Sequence, residues 1–198
     1  MYAEECGIML SVKNVILASA SPRRQELLKL CGIPFSCIPA DIDETIDPSG
    51  DLKEEIMRLS FRKAESILRE NPDAVVIGSD TIVVIDGEIL GKPVSEEDAV
   101  RMLGKLSGRT NQVITGLCIL SGKRKYLDCT VSDVMFAKLS DEEIRAYVQT
   151  GECMDKAGAY AVQGLSARFI TGICGDYYSV MGFPLHLAYE ELKNIDLY

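Results

Sequence analysis

Two adjacent arginines, Arg23 and Arg24, stand where the electrostatics of a helix disfavour cations. Val15-Ile16-Leu17-Ala18 reads as a buried strand, and the helix after it takes Ser21 as N-cap and Pro22 at its first position, with Gly32 and Pro34 as its stop. Both arginines then sit in the first turn, beside free backbone N–H groups and the positive end of the helix dipole. Each is disfavoured by roughly 0.3–1 kcal/mol unless an anion is shared. A phosphate bound at that helix start would resolve the conflict; a solvated loop with two incidental arginines is the plainer reading.

Two further residues stand out, each a charge where apolar surroundings are expected, while Lys92 taken singly is an unremarkable loop lysine. In the helix predicted over 51–70, Glu54, Glu55, Arg58, Arg62, Glu65 and Arg69 form the polar face, but Lys63 falls in the stripe of Leu52, Ile56, Leu59 and Ile67. It either snorkels outward from the stripe's edge or reaches a cleft and meets an anion. If it only leaves an apolar face, Lys63→Ala keeps the melting temperature level or raises it. Asp80 lies in Val75-Val76-Ile77-Gly78-Ser79-Asp80-Thr81-Ile82-Val83-Val84-Ile85, where a carboxylate loses solvation worth several kcal/mol unless compensated. It is a turn aspartate between two strands, or a general base or metal ligand at a strand end, with Gly78 permitting close backbone approach. Lys92 precedes Pro93 and so is extended. The acidic run Asp41, Asp43, Glu44, Asp47 is either a solvated edge or a source of hard oxygen ligands for Mg²⁺ or Mn²⁺.

Strands and helices alternate around these positions. Phe35 to Pro39, Ala74 to Gly78, Ile82 to Ile85, Glu88 to Leu90, Ala159 to Val162 and Phe169 to Ile173 read as short strands, with Asp86-Gly87 as a hairpin turn. Gln112 to Leu120 and Tyr126 to Ala137 read as a long hairpin with a basic tip at Ser121 to Lys125. Asp51 with Glu54, and Ser140 with Glu143, have capping-box spacing; Ser95 with Asp98 opens another helix, and Pro184 to Leu192 forms the last. The pattern predicts an α/β fold with a mixed, twisted sheet flanked by helices and bent into two lobes around a central cleft.

Composition limits the partners. The 198 residues carry a formal net charge of −9, which argues against coating nucleic acid or anionic membrane by bulk attraction, so a polyanionic ligand needs a local basic site. No run approaches the roughly 18 apolar residues of a membrane helix. Seven scattered cysteines without a C-x-x-C pair fit a reducing cytoplasm better than a disulfide or zinc framework. Residues 1–13 read as a leading tail, with Glu4 and Glu5 where a secretory signal would be basic. The phosphate-loop, dinucleotide, nucleophile-elbow and H-E-x-x-H motifs are all missing, and His186 is the only histidine.

The segments Ser19-Ala20-Ser21-Pro22-Arg23-Arg24, Ser79-Asp80-Thr81, Gly91-Lys92-Pro93, Gly108-Arg109-Thr110, Lys156-Ala157-Gly158-Ala159-Tyr160-Ala161-Val162-Gln163-Gly164 and Asp176 to Leu185 together resemble the Maf family of nucleotide pyrophosphatases, in order and spacing. The resemblance implies one domain over 14–198, an inosine triphosphatase-like fold, a homodimer, and metal-dependent hydrolysis of nucleoside triphosphates to monophosphate and pyrophosphate. It puts catalytic roles on Asp80, Lys63, Lys92 and Arg24, phosphate binding on Ser19, and a divalent cation, Mg²⁺ or Mn²⁺, on Glu44 and Asp80. The subgroup resembled acts on dTTP and UTP, with specificity positions at Arg23, Thr81 and Gln163. Gln163 suits that role: a carboxamide can match the N3–H and O4 of thymine or uracil. A non-catalytic nucleotide-binding regulator of cell division and a phosphatase releasing orthophosphate are the competing functions.

Overall fold

An eleven-residue apolar strand, β3 (Val75–Ile85), organises the chain because it is paired along both edges. The computed structural model describes residues 14–122 and 124–195, so the expected tail at 1–13 and position 123 of the basic hairpin tip lie outside the described residues. On one edge β3 runs antiparallel to β5 (Thr110–Ser121) from Val75 to Val84, and Asp80 pairs with Gly116 within that ladder. No turn interrupts β3 at Asp80. The β-branched residues on either side favour one extended strand, and the β5 ladder holds it through that point.

On its other edge β3 meets two short strands end to end. β1 (Val15–Leu17) lies parallel to Val75–Ile77, and β4 (Glu88–Leu90) antiparallel to Val83–Ile85 across a two-residue turn in which Asp86 and Gly87 both have positive φ (52° and 76°). β2 (Ser36–Cys37) extends the sheet beyond β1, while β6 (Arg124–Phe136) and β7 (Ile170–Cys174) extend it beyond β5. The result is a mixed seven-stranded sheet flanked by helices, as expected from the alternating elements.

The helices divide the molecule into two lobes along the long strands. α1 (Pro22–Lys29) and α5 (Leu185–Lys193) bury Leu27, Leu28, Ala188 and Leu192 against Val15, Leu17, Val75 and Ile77. At the other end α3 (Glu96–Leu106) and α4 (Asp141–Val148) bury Leu103, Leu106, Ile144 and Tyr147 against Val83, Ile85, Val113 and Val134. α2 (Leu52–Glu70) crosses the opposite face of the sheet, placing Ile56 and Leu59 on Ile82 and Ile114, and Ala64 and Ile67 on Val76 and Cys118. Its N-cap Asp51 accepts from the backbone N–H groups of Lys53 and Glu54, and Ser140 with Glu143 forms a full capping box on α4.

Two expectations about local structure fail. Ala157–Ala159 is a 3₁₀ turn instead of the start of a strand, because Gly158 and Ala159 both take left-handed backbone (φ 70° and 60°), which no strand accommodates. Ser21 has N-cap backbone angles, but its side chain makes no cap bond.

Gly78 and Gly116 set the closeness of α2. A Cβ at Gly78 would lie 2.2 Å from the Ser60 carbonyl oxygen and 2.9 Å from the Ala64 nitrogen; one at Gly116 would lie 2.7 Å from the Ile56 carbonyl oxygen. The helix backbone therefore rests directly on the sheet, one turn from Lys63 and two residues from Asp80. Gly104, on α3, has open space around it. Gly78→Ala is expected to destabilise by about 1–3 kcal/mol or more through overpacking, and Gly104→Ala to stabilise by about 0.5–1 kcal/mol through helix propensity. Denaturant unfolding of both variants checks the contrast, and equal effects would refute the close-packing account.

Candidate active site

The site forms where an edge of β3 lacks a strand partner. β1 pairs as far as Ile77 and β4 begins at Val83, so Gly78 to Ile82 face a gap on that edge. Parallel β1 and antiparallel β4 both run toward the gap, and the loop after each enters it: Ala18 to Arg24 from one lobe, Gly91 and Lys92 from the other. The Gly158 N–H donates to the Gly91 carbonyl at 3.0 Å, tying a third segment, Lys156 to Gln163, to the same rim. Together they enclose a cleft of about 540 Å³, within the roughly 300–1,000 Å³ usual for small-molecule sites.

Asp80 sits at the floor, its side chain 15% exposed. Its Oδ1 accepts from Arg24 Nη2 at 3.1 Å and from the Thr81 N–H at 2.7 Å, and its Oδ2 pairs with Lys63. Burial alone would push the carboxyl up, but the charges of Arg24 and Lys63 outweigh it and hold Asp80 below its ordinary value. Lys63 does not snorkel; it is buried and its Nζ also reaches Glu44 Oε1 at 2.7 Å. The acidic loop is brought over it by two other groups of α2. Arg62 donates to the Asp43 carbonyl, and Glu55 accepts from the Asp47 N–H at 3.4 Å. Glu55, expected on the solvated face, is accordingly buried.

Arg24 is held as firmly. Its Nε donates to the Gly182 carbonyl at 2.9 Å, with longer contacts from Nη1 to Ser19 Oγ (3.4 Å) and from Nη2 to Thr81 Oγ1 (3.5 Å). Thr81 is further tied to Thr115 Oγ1 at 3.0 Å. Ser21 does not cap α1 with its side chain, and the first-turn residues Arg23 and Arg24 both line the cleft.

All nine expected site residues, Ser19, Arg23, Arg24, Glu44, Lys63, Asp80, Thr81, Lys92 and Gln163, line this one cleft. The structure adds Asp155, Lys156, Tyr160 and Gly182, to which no role was attached in advance. Lys156 and Tyr160 fall within a motif already noted, but Asp155 carried no signal. The cations Arg23, Arg24, Lys63, Lys92 and Lys156 outnumber the carboxylates Glu44, Asp80 and Asp155, giving a local positive excess on an acidic protein. Among the described residues no three His, Cys, Asp or Glu side chains converge as a metal cage. Glu44 and Asp80 are a two-carboxylate set of the kind that suits a hard cation completing its shell with substrate phosphates and water. Among the described residues no helix is long and apolar enough to cross a membrane.

A two-lobed α/β protein with a cation-lined cleft at a break in its sheet is thus the class defined by fold and site. The chain belongs to the Maf-like protein family, whose profile matches residues 14–195. It is 48% identical over 181 residues to the dTTP/UTP pyrophosphatase of Symbiobacterium thermophilum, covering 91% of this chain and 93% of that one. The dTTP/UTP pyrophosphatase of Aquifex aeolicus is 48% identical over 184 residues, 93% and 96% of the two chains, and that of Bacillus velezensis 47% over 185, 93% and 98%. The Ham1 protein of Staphylococcus aureus shares the fold, with a TM-score of 0.53 at 16% identity over 92% of this chain and 99% of that one.

Lys63 and Asp80 should be energetically coupled. A double-mutant cycle with Lys63→Met and Asp80→Asn is expected to give about 0.5–3 kcal/mol of interaction, and Lys63→Ala to lower stability, the reverse of what an isolated lysine on an apolar face implies. Because the folded carboxyl titrates below its ordinary value of about 3.8, its pairing contributes fully above that pH and is lost as pH falls through the folded value. Asp80→Asn should therefore flatten the acid limb of stability against pH. Unfolding curves from neutral to acid pH decide this, and an unchanged limb would contradict the assignment.

Proposed function

We propose that this chain hydrolyses dTTP and UTP to the nucleoside monophosphate and pyrophosphate, a house-cleaning activity on the nucleotide pool. The observation that carries this reading is Asp80 held by Lys63 and Arg24 on the floor of a cation-rich cleft of small-molecule size. The naming of several full-length relatives as dTTP/UTP pyrophosphatases supports it. Bound triphosphate competes with Asp80 for Lys63 and Arg24. As they turn to phosphate oxygens, the Asp80 carboxylate is released from its ion pairs and becomes free to accept a proton from water.

Asp80 then accepts a proton from a water whose oxygen attacks the α-phosphorus. The new P–O bond forms as the bond to the bridging oxygen breaks, and the electron pair leaves with pyrophosphate. Lys63, Arg24, Lys92, Ser19 and the first-turn amides of α1 stabilise the charge gathering on the phosphates. Glu44 and Asp80 would hold a divalent cation, Mg²⁺ or Mn²⁺, whose chemistry there is neutralisation of phosphate charge. Gln163 reads the pyrimidine edge, with Arg23 and Thr81 nearby in the same cleft. A homodimer, implied by the family likeness, and a cytoplasmic location, supported by six free cysteines among the described residues, complete the reading.

Asp80→Asn keeps the shape but removes the base, and is expected to lower kcat by about 10²-fold or more with the fold intact. Chromatography of the wild-type products should show dTMP with pyrophosphate; dTDP with orthophosphate would favour a phosphatase. Nucleotide binding with no turnover would favour a non-catalytic regulator. CTP should be the poorer substrate by about 1–3 kcal/mol in kcat/KM.

A further inference from the structure

Gln163 is exposed on the cleft wall, and among the described residues its amide makes no hydrogen bond, yet a carboxamide that can flip would suit cytosine as well as thymine. Whatever orders it must act through its backbone. On both sides of Gln163 the backbone is pinned by side chains that are not part of the cleft lining. Ser166 Oγ accepts from the Ala161 N–H at 2.9 Å and donates to the Ala161 carbonyl at 2.8 Å, fixing the segment two residues before Gln163. The Glu152 carboxylate receives the Leu165 N–H at 3.0 Å on each oxygen, fixing it two residues after.

One buried phenol joins the two anchors. Tyr147, fully buried on α4, places its hydroxyl 3.2 Å from both Glu152 Oε1 and Ser166 Oγ, so its single proton can be donated to either anchor, one at a time. Between the anchors Gly164 has φ of 108°, and a Cβ there would lie 2.7 Å from Glu152 Oε1, so the turn closes directly onto the carboxylate. Ser166 is itself fully buried. A surface loop of polar residues with no function needs no such buried network, whereas a loop that must hold one side chain in register does.

We infer that Tyr147, Glu152 and Ser166 form a clamp that positions the Gln163 loop and so sets the pyrimidine selectivity, while touching neither base nor phosphate. This rests on the proposed dTTP and UTP hydrolysis and extends it to residues behind the site. The clamp acts on base recognition and not on the attack at phosphorus, so its loss weakens KM and selectivity and spares kcat.

The test compares kcat and KM for dTTP and CTP in wild type, Ser166→Ala, Glu152→Ala and Glu152→Gln, with unfolding measured alongside. Ser166→Ala and Glu152→Ala are expected to raise KM for dTTP about tenfold, equivalent to about 1.4 kcal/mol, with kcat within about twofold, and to shrink the dTTP-over-CTP ratio similarly. Glu152→Gln keeps an acceptor for the Leu165 N–H and should recover most of the ratio. A wild-type preference that survives both alanine substitutions, even with stability lowered, overturns the clamp alone. A wild type with no preference overturns the pyrimidine reading and the clamp with it. Either alanine variant suffices if the other does not fold.

Discussion

A carboxylate buried in the middle of an apolar sheet is the constraint from which the rest of this site follows. Asp80 occupies a strand position whose neighbours on the same face, Val76 and Ile82, are core, so it must find cations inside the protein. Lys63 can serve only because α2 lies against the strand, and α2 can lie there only because Gly78 and Gly116 have no side chains. Arg24 can serve only because the edge of β3 is open between β1 and β4. The glycines, the broken edge and the ion pairs are one device seen from three sides.

The parts of this device differ in how plainly they could be read in advance. The α/β order was legible because alternating apolar runs and capping residues such as Ser140 and Glu143 are local signals. Asp80 and Lys63 were legible as anomalies because each violates a local pattern. Their pairing was not, since nothing local states that residue 63 of a helix and residue 80 of a strand share a surface. The family resemblance gathered the site residues into one cleft ahead of the geometry, but it did not say that Arg24 would be turned toward Asp80 and Gly182. The break read between strands at 74–78 and 82–85 and the strand read at 159–162 fail for opposite reasons. In the first, a long-range ladder with β5 overrode a polar residue; in the second, left-handed backbone at Gly158 and Ala159 overrode apolar composition.

Glu55 illustrates the same limit. Helical periodicity puts it with the solvated charges, but the acidic loop folds back over α2 and covers it, pairing it with Asp47 and Arg58. That fold-back carries Glu44 to Lys63. A carboxylate 59% exposed would contribute little as an isolated surface pair, yet here it meets an ammonium that is 6% exposed and already shared with Asp80. The loop is therefore tied to the electrostatics of the cleft floor and not merely draped across it.

Such sharing makes the free site self-neutralised. With Lys63 and Arg24 engaged by Asp80, the cleft does not present them as bare charges, and a weak anion must break ion pairs to enter. A triphosphate, offering several oxygens to Lys63, Arg24, Lys92 and the amides of α1 at once, can compensate for the pairs it disrupts where a single phosphate offers fewer contacts. On the proposed function, discrimination by charge number would therefore precede discrimination by base. The ligand that disrupts the Asp80 pairs would, on the same reading, also free that carboxylate to act as the base, which would couple binding to activation through one residue. The local positive excess draws polyanions to a protein whose overall charge of −9 repels them, and the repulsion leaves the cleft as the place where they are held.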